Sequence, residues 1–167
     1  MASNLKNLSE YNESGIATNN NKNNYKIGIV VSEWNEQITA NLAEAAIETL
    51  KKYNFSAEDI ILKSVCGSFE LPLGAKFLIE GREKVDAVIC LGCVIQGETR
   101  HFDFICEAVS QGIMKLNLKY SIPVSFGLLT TNNLQQAIDR SGGKYGNKGD
   151  EATIAVLKML YLKNELL

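Results

Sequence analysis

The sequence predicts an α/β fold, a three-layer sandwich in which a central four-stranded, mostly parallel sheet carries helices on both faces. Three observations predict it. Apolar runs of strand length alternate with longer segments of helical period from about Tyr25 onward. The first run is β-branched and apolar on both faces, as in a strand covered on both sides. The segments between strands are long enough for right-handed helical crossovers. The chain reads β-α-β-α-β-α-β-α-α, with a flavodoxin-like strand order and no internal repeat.

Each element has a local reason. The first strand is Lys26 to Ser32 (KIGIVVS), and Ile38, Leu42, Ala45, Ala46, Thr49 and Leu50 then follow helical spacing, with Asn35 as a suitable N-cap. A second strand spans about Asp59 to Val65, a short helix about Leu71 to Glu80, and a third strand Val85 to about Val94. The next helix starts near Phe102 and runs to about Tyr120. A fourth strand, Ile122 to Leu128, has Pro123 at its start, where a missing N–H does least harm. Asn132 with Gln135 resembles a capping box for a helix ending near Arg140. A glycine-rich connection, Ser141 to Gly149, leads to a last helix from about Asp150 to Lys163.

Composition bounds the function. The 167 residues carry 17 basic and 19 acidic side chains, a net charge of −2, and 46% hydrophobic content, ordinary for a globular chain. At this size a chain buries roughly 70% of its unfolded surface, so the core needs neither disulfides nor a structural metal. A pI near 5.5 without a Lys/Arg cluster argues against nucleic acid or a membrane surface as partner and for a small-molecule site. The longest apolar run, Ala87 to Ile95, is far short of the roughly 18 residues that suggest a membrane span. The first residues lack the charged-then-apolar pattern of a secretory leader and hold Glu10 and Glu13. Cysteines 66, 90, 93 and 106 lie in or beside apolar segments, so reduced thiols and a cytoplasmic location are expected. Residues 1–24 hold eight asparagines and no hydrophobic period, which reads as a mobile arm before a single domain over residues 25–167.

In parallel α/β sheets ligands bind outside the carboxyl ends of the strands. Four loops lie there: Ser32 to Asn35 (SEWN), Cys66 to Glu70 (CGSFE), Gly92 to His101 (GCVIQGETRH) and Gly127 to Asn133 (GLLTTNN). They gather the only Trp and the only His. Trp34 either stacks on a flat heterocycle or seals a helix against the sheet. Gly97-Glu98-Thr99 precedes a helix and offers either an anion site at free N–H groups or a plain capping turn. His101 is of the residue type best suited to proton transfer near neutral pH, and a lone histidine is as well read as structural or merely exposed. Gly67-Ser68-Phe69-Glu70 places amides and a carboxylate where they would read a polar ring edge, or where Glu70 simply favours the helix dipole. Arg140 suits bidentate phosphate contact, and equally the end of a helix. Cys90, Cys93, His101 and Cys106 loosely resemble a zinc knuckle. The reading fails because residues three apart on a strand face opposite sides and Cys106 falls inside the next helix, so no metal is expected.

Five motifs in register over about Lys26 to Leu162 resemble the lumazine synthase family: IGIVVSEWN (27–35), GSFELPLGAK (67–76), DAVICLGCVIQGETRHFDFI (86–105), PVSFGLLTTNNLQQAIDRSG (123–142) and GNKGDEA (146–152). The resemblance implies condensation of 5-amino-6-(D-ribitylamino)uracil with 3,4-dihydroxy-2-butanone 4-phosphate, the penultimate step of riboflavin biosynthesis, without a cofactor. It implies that Trp34 stacks on the pyrimidine, that Ser68, Phe69, Glu70, Cys93, Val94 and Ile95 line the ring and ribityl pocket, and that His101 transfers protons. It assigns Glu98, Thr99 and Arg140 to the phosphate, with Lys148 supporting, and Phe126 to the pyrimidine site of a neighbouring subunit. It also implies a homopentamer with sites between subunits, and an arm that adds a strand around Gly15 to Thr18 to a neighbour's sheet. The short 141–149 connection resembles that of members whose pentamers build icosahedral shells. Ser68 stands where alanine is usual, Cys66 where proline is frequent, and Trp34 where phenylalanine or tyrosine is often found. The Trp suggests riboflavin binding as well. The rival reading is a riboflavin-binding or shell-forming homologue without catalysis.

Overall fold

A computed structural model describes residues 10–20 and 23–167. Its elements are β1 (Ile27–Ser32), α1 (Glu36–Lys52), β2 (Ile60–Val65), α2 (Leu71–Glu80), β3 (Ala87–Ile95), α3 (His101–Tyr120), β4 (Val124–Thr131), α4 (Leu134–Arg140), β5 (Ser141–Gly143), β6 (Gly146–Asn147) and α5 (Lys148–Leu166). Single 3-10 turns precede β2 and α2. The main sheet runs β2-β1-β3-β4 and is parallel throughout, with Ile27 opposite both Ile60 and Ala87, and Val88 opposite Val124. The three-layer sandwich and its flavodoxin-like order are therefore present.

Strand alternation sorts the core into two layers. Ile27 and Ile29 of β1 and Ala87, Ile89, Leu91 and Cys93 of β3 pack with Leu42 and Leu50 of α1 and Leu157 of α5. Val30, Val88 and Cys90 pack on the other face with Leu71 and Leu78 of α2 and Val109 and Ile113 of α3. Complete burial of one such aliphatic side chain stabilises by about 1.5–3 kcal/mol, so these layers dominate over any helix cap. Gly149 lets α5 approach α1 closely, since a Cβ there would lie 2.0 Å from the Leu42 carbonyl oxygen.

Three details differ from the sequence reading. First, β4 starts after Pro123 and continues to Thr131, because β3 extends to Ile95, which pairs with Thr131. The Asn117 amide fixes the strand's start by accepting the Val124 N–H at 2.8 Å and donating to its carbonyl at 2.9 Å. Second, α4 is capped one residue later than expected. Asn133 Oδ1 accepts the Gln136 N–H at 3.0 Å, and Gln136 Oε1 accepts the Asn132 N–H at 2.9 Å. Asn133→Ala is expected to cost about 1 kcal/mol in urea unfolding, whereas Gln135→Ala should cost little, since Gln135 is exposed and its amide reaches half-buried Asp139 on the same helix. Third, the glycine-rich connection closes as a small antiparallel hairpin, β5 with β6, in which Gly142 (φ 111°) and Gly146 (φ 82°) supply the left-handed backbone.

The stretch read as an arm is docked on its own chain over residues 10–20. The Ala17 N–H donates to Leu157 O (3.2 Å), the Asn19 N–H to Tyr53 O (3.3 Å), and the Tyr11 hydroxyl to Asp150 (3.2 Å). Glu13 ion-pairs with Lys52. The rest of that reading, at residues 1–9 and 21–22, lies outside the described residues. Among the described residues no helix is long and apolar enough to cross a membrane.

Candidate functional site

The carboxyl ends of β1, β2 and β3 enclose a cleft of about 260 Å³ lined by Trp34, Asn35, Ser68, Phe69, Cys93, Val94, Ile95, His101 and Ile105. Trp34 leaves the sheet with its backbone still paired, its N–H donating to Cys66 O at 3.1 Å. The indole is 67% exposed, so it offers a face rather than sealing the core. Gly67 lies under it, and a Cβ there would come within 2.7 Å of the ring. Phe69 is exposed opposite the buried Ser68. Glu70 Oε2 accepts the Gly67 N–H at 3.0 Å, which shapes this turn from within.

Asn35 is at the predicted cap position of α1 but acts differently. Its backbone is left-handed (φ 61°) and its side chain makes no cap hydrogen bond. Its Nδ2 donates instead to Cys93 O at 3.0 Å, tying the start of α1 to the end of β3. Burial pushes the Cys93 thiol up to about 11 and the Cys90 thiol up to about 12, so both stay protonated at neutral pH. The two thiols belong to opposite core layers, which is the geometry that separates them as ligands of one ion.

Gly97, Glu98 and Thr99 form an exposed loop ahead of α3. Thr99 Oγ1 accepts the His101 N–H at 3.4 Å. His101 is the first residue of the 20-residue α3, and it is exposed. Its imidazole lines the cleft beside Ile95 and Ile105.

The remaining candidates lie elsewhere. Phe126, Arg140 and Lys148 line a second cleft of about 450 Å³ with Thr131, Gln136, Tyr145 and Glu151. Arg140 donates through Nη1 to Tyr145 O and through Nη2 to Glu151 Oε2 at 2.8 Å. Lys148 Nζ is 3.5 Å from the same carboxylate oxygen. The structure thus unites Trp34, Ser68, Phe69, Cys93, Val94, Ile95 and His101, unites Phe126, Arg140 and Lys148 separately, and leaves Glu70, Glu98 and Thr99 lining neither cleft. Sequence reasoning missed Asn35 as a wall of the first cleft and Glu151 as the partner of both cations. The spacing of Lys148 and Glu151, three apart in one helix, was the available signal for the latter.

The model of the family described as 6,7-dimethyl-8-ribityllumazine synthase matches residues 24–164. A protein of that name from Cytophaga hutchinsonii is 59% identical over 160 residues, covering 96% of this chain and 98% of the relative. Another from Parabacteroides distasonis is 53% identical over 160 residues, with the same coverage. One from Flavobacterium johnsoniae is 53% identical over 165 residues, covering 99% of this chain and 85% of the relative. With its fold, its cleft and nearly its whole length accounted for, this chain belongs to the 6,7-dimethyl-8-ribityllumazine synthase family.

Proposed function

We propose that this protein is a transferase that condenses 5-amino-6-(D-ribitylamino)uracil with 3,4-dihydroxy-2-butanone 4-phosphate, yielding 6,7-dimethyl-8-ribityllumazine, phosphate and water. The observation that carries the reading is the meeting of an exposed indole and an exposed imidazole across one cleft floored by Ser68 and Cys93. Trp34 supplies a stacking face for the pyrimidine, and Phe69 lies within reach of the same ring. The ring amine attacks the ketone to give a carbinolamine and, with loss of water, an imine. Proton removal then expels phosphate and leaves an enol that tautomerises to a ketone, and attack of the second amine on that ketone, with loss of a second water, closes the ring. His101 serves these proton transfers from the cleft wall. The protonated state of Cys93 leaves it as a wall and not a nucleophile.

Orientation supplies much of the rate, because holding two reactants in register reaches effective molarities of about 10⁵ M or more. Arg140, with Lys148 beside it, holds the phosphate, while Glu98 and Thr99 approach it from the loop before α3. Phe126 shares the second cleft with those cations, so a complete site needs the first cleft of one copy against the second cleft of another. A homopentamer meets that need, and the tight 141–149 hairpin fits further assembly into a shell. Four unpaired cysteines accord with a cytoplasmic site of action.

Mixing both substrates with the protein should raise lumazine absorbance well above the unassisted rate. Equal rates with and without folded protein would instead favour a flavin-binding homologue without catalysis. Because Trp34 is the sole tryptophan, riboflavin at micromolar levels is expected to quench its fluorescence. Trp34→Ala should weaken riboflavin binding by about tenfold or more, the scale of one aromatic stacking contact, as read by flavin fluorescence.

A further inference from the structure

Resting on the reading of Arg140 and Lys148 as the phosphate-binding pair, we propose that Glu151 is a built-in competitor for the phosphate. Its carboxylate holds the guanidinium when the cleft is empty and takes it back as inorganic phosphate leaves.

The geometry sets Glu151 between both cations. Its Oε1 and Oε2 lie 2.7 and 2.8 Å from the two terminal nitrogens of Arg140, and Lys148 Nζ is 3.5 Å from Oε2. The Arg140 and Glu151 side chains are each 13% exposed, so water screens their attraction weakly. This is a contact that an incoming anion must displace. Oε1 nevertheless takes no aligned hydrogen bond, and the buried Thr131 hydroxyl on the same cleft wall has no partner among the described residues. The resting cleft is therefore held by charge, with the Thr131 hydroxyl left over as a donor for an anion.

Charge balance gives the consequence. Two cations and one carboxylate leave a single positive charge on this wall. A phosphate monoester near neutral pH carries about −1.5 to −2 charges and presents three oxygens to a guanidinium with five N–H donors. It can outcompete a carboxylate for Arg140, while singly charged anions compete on equal terms and gain little. The same carboxylate lowers the affinity for inorganic phosphate, which the reaction forms in place and must release. Glu151 touches no reacting atom; it tunes the anion site through Arg140 and Lys148.

The test is calorimetric titration of the full-length protein with inorganic phosphate, paired with product inhibition in the lumazine assay. Glu151→Gln is expected to bind phosphate about tenfold tighter, the effect of removing one charged hydrogen-bond competitor. Its inhibition constant for phosphate should fall in parallel, and KM for the butanone phosphate should fall without a gain in kcat. Glu151→Asp keeps the charge but draws it back by one methylene, and should tighten phosphate binding by about two- to threefold on the same argument. It decides the matter if Glu151→Gln does not fold. Phosphate binding that is unchanged or weaker in the folded variants would overturn the proposal alone, making Glu151 a support for Arg140. Absence of phosphate binding in wild type and variants alike would overturn the assignment of Arg140 and Lys148 as well.

Discussion

Arg140→Ala is expected to raise KM for the butanone phosphate about a hundredfold, the scale of losing a charge-assisted bidentate contact to a dianion. The guanidinium sits at the end of α4 on the cleft wall, tethered by Tyr145 O and held by Glu151 until an anion displaces the carboxylate. Lys148 is the other cation on that wall and recovers part of the attraction, as a point charge without the planar fork. The binding of the pyrimidine substrate should change little, because Trp34, Phe69 and His101 line a different cleft. The substitution also leaves Glu151, 13% exposed, with Lys148 at 3.5 Å as its one remaining cation among the described residues, and breaking such a pair costs about 3 kcal/mol. Steady-state kinetics at saturating pyrimidine, with urea unfolding alongside, separate the two effects. An unchanged KM for the butanone phosphate in a folded variant would remove Arg140 from the phosphate site.

His101→Ala is expected to slow kcat by about 10- to 1000-fold without abolishing it, the range of general acid–base contributions. Residual rate follows from orientation, which the variant leaves in place. His101 is exposed and its hydrogen bond to Thr99 is made by its backbone, so the loss should fall on catalysis and leave the unfolding midpoint nearly unmoved. KM for either substrate should shift far less than kcat. Complete loss of activity with normal folding and substrate binding would contradict the assigned role.

The regular elements were legible because each carries its own signal. KIGIVVS and AVICLGCVI are apolar on both faces, and the sheet places them centrally, as β1 and β3. The cap of α4 was off by one because Asn132-Asn133-Leu134-Gln135-Gln136 offers two Asn-x-x-Gln pairs of equal spacing. What separates them is the pairing of Thr131 with Ile95, a tertiary register that local sequence does not encode. The β5–β6 hairpin escaped notice because strands of three and two residues have no period to read. Tyr11, Ile16 and Ala17 pack on the core from within the Asn-rich stretch, as scattered anchors with no period to read.

The site shows the same division. Trp34 and His101 were visible as the sole residues of their types on loops following strands. The grip of Glu151 on Arg140 was not, since it is a contact between α4 and α5 across the intervening hairpin, and the seat of α5 on α1, where Gly149 approaches Leu42, is a tertiary feature that local sequence does not encode. Likewise, sequence spacing gave Asn35 a cap role, whereas the end of β3 draws its amide to Cys93 O.

The central claim is that the Trp34–His101 cleft of one copy works with the Arg140–Lys148 cleft of another. Co-refolding His101→Ala with Arg140→Ala in equal amounts tests it most directly, with lumazine formation read at low butanone phosphate. Random cyclic assembly should restore intact pairs at about one quarter of the sites, lifting activity well above the mean of the two parents. Activity equal to that mean, from chains shown to co-assemble, would place all the catalytic groups within one copy and contradict the account.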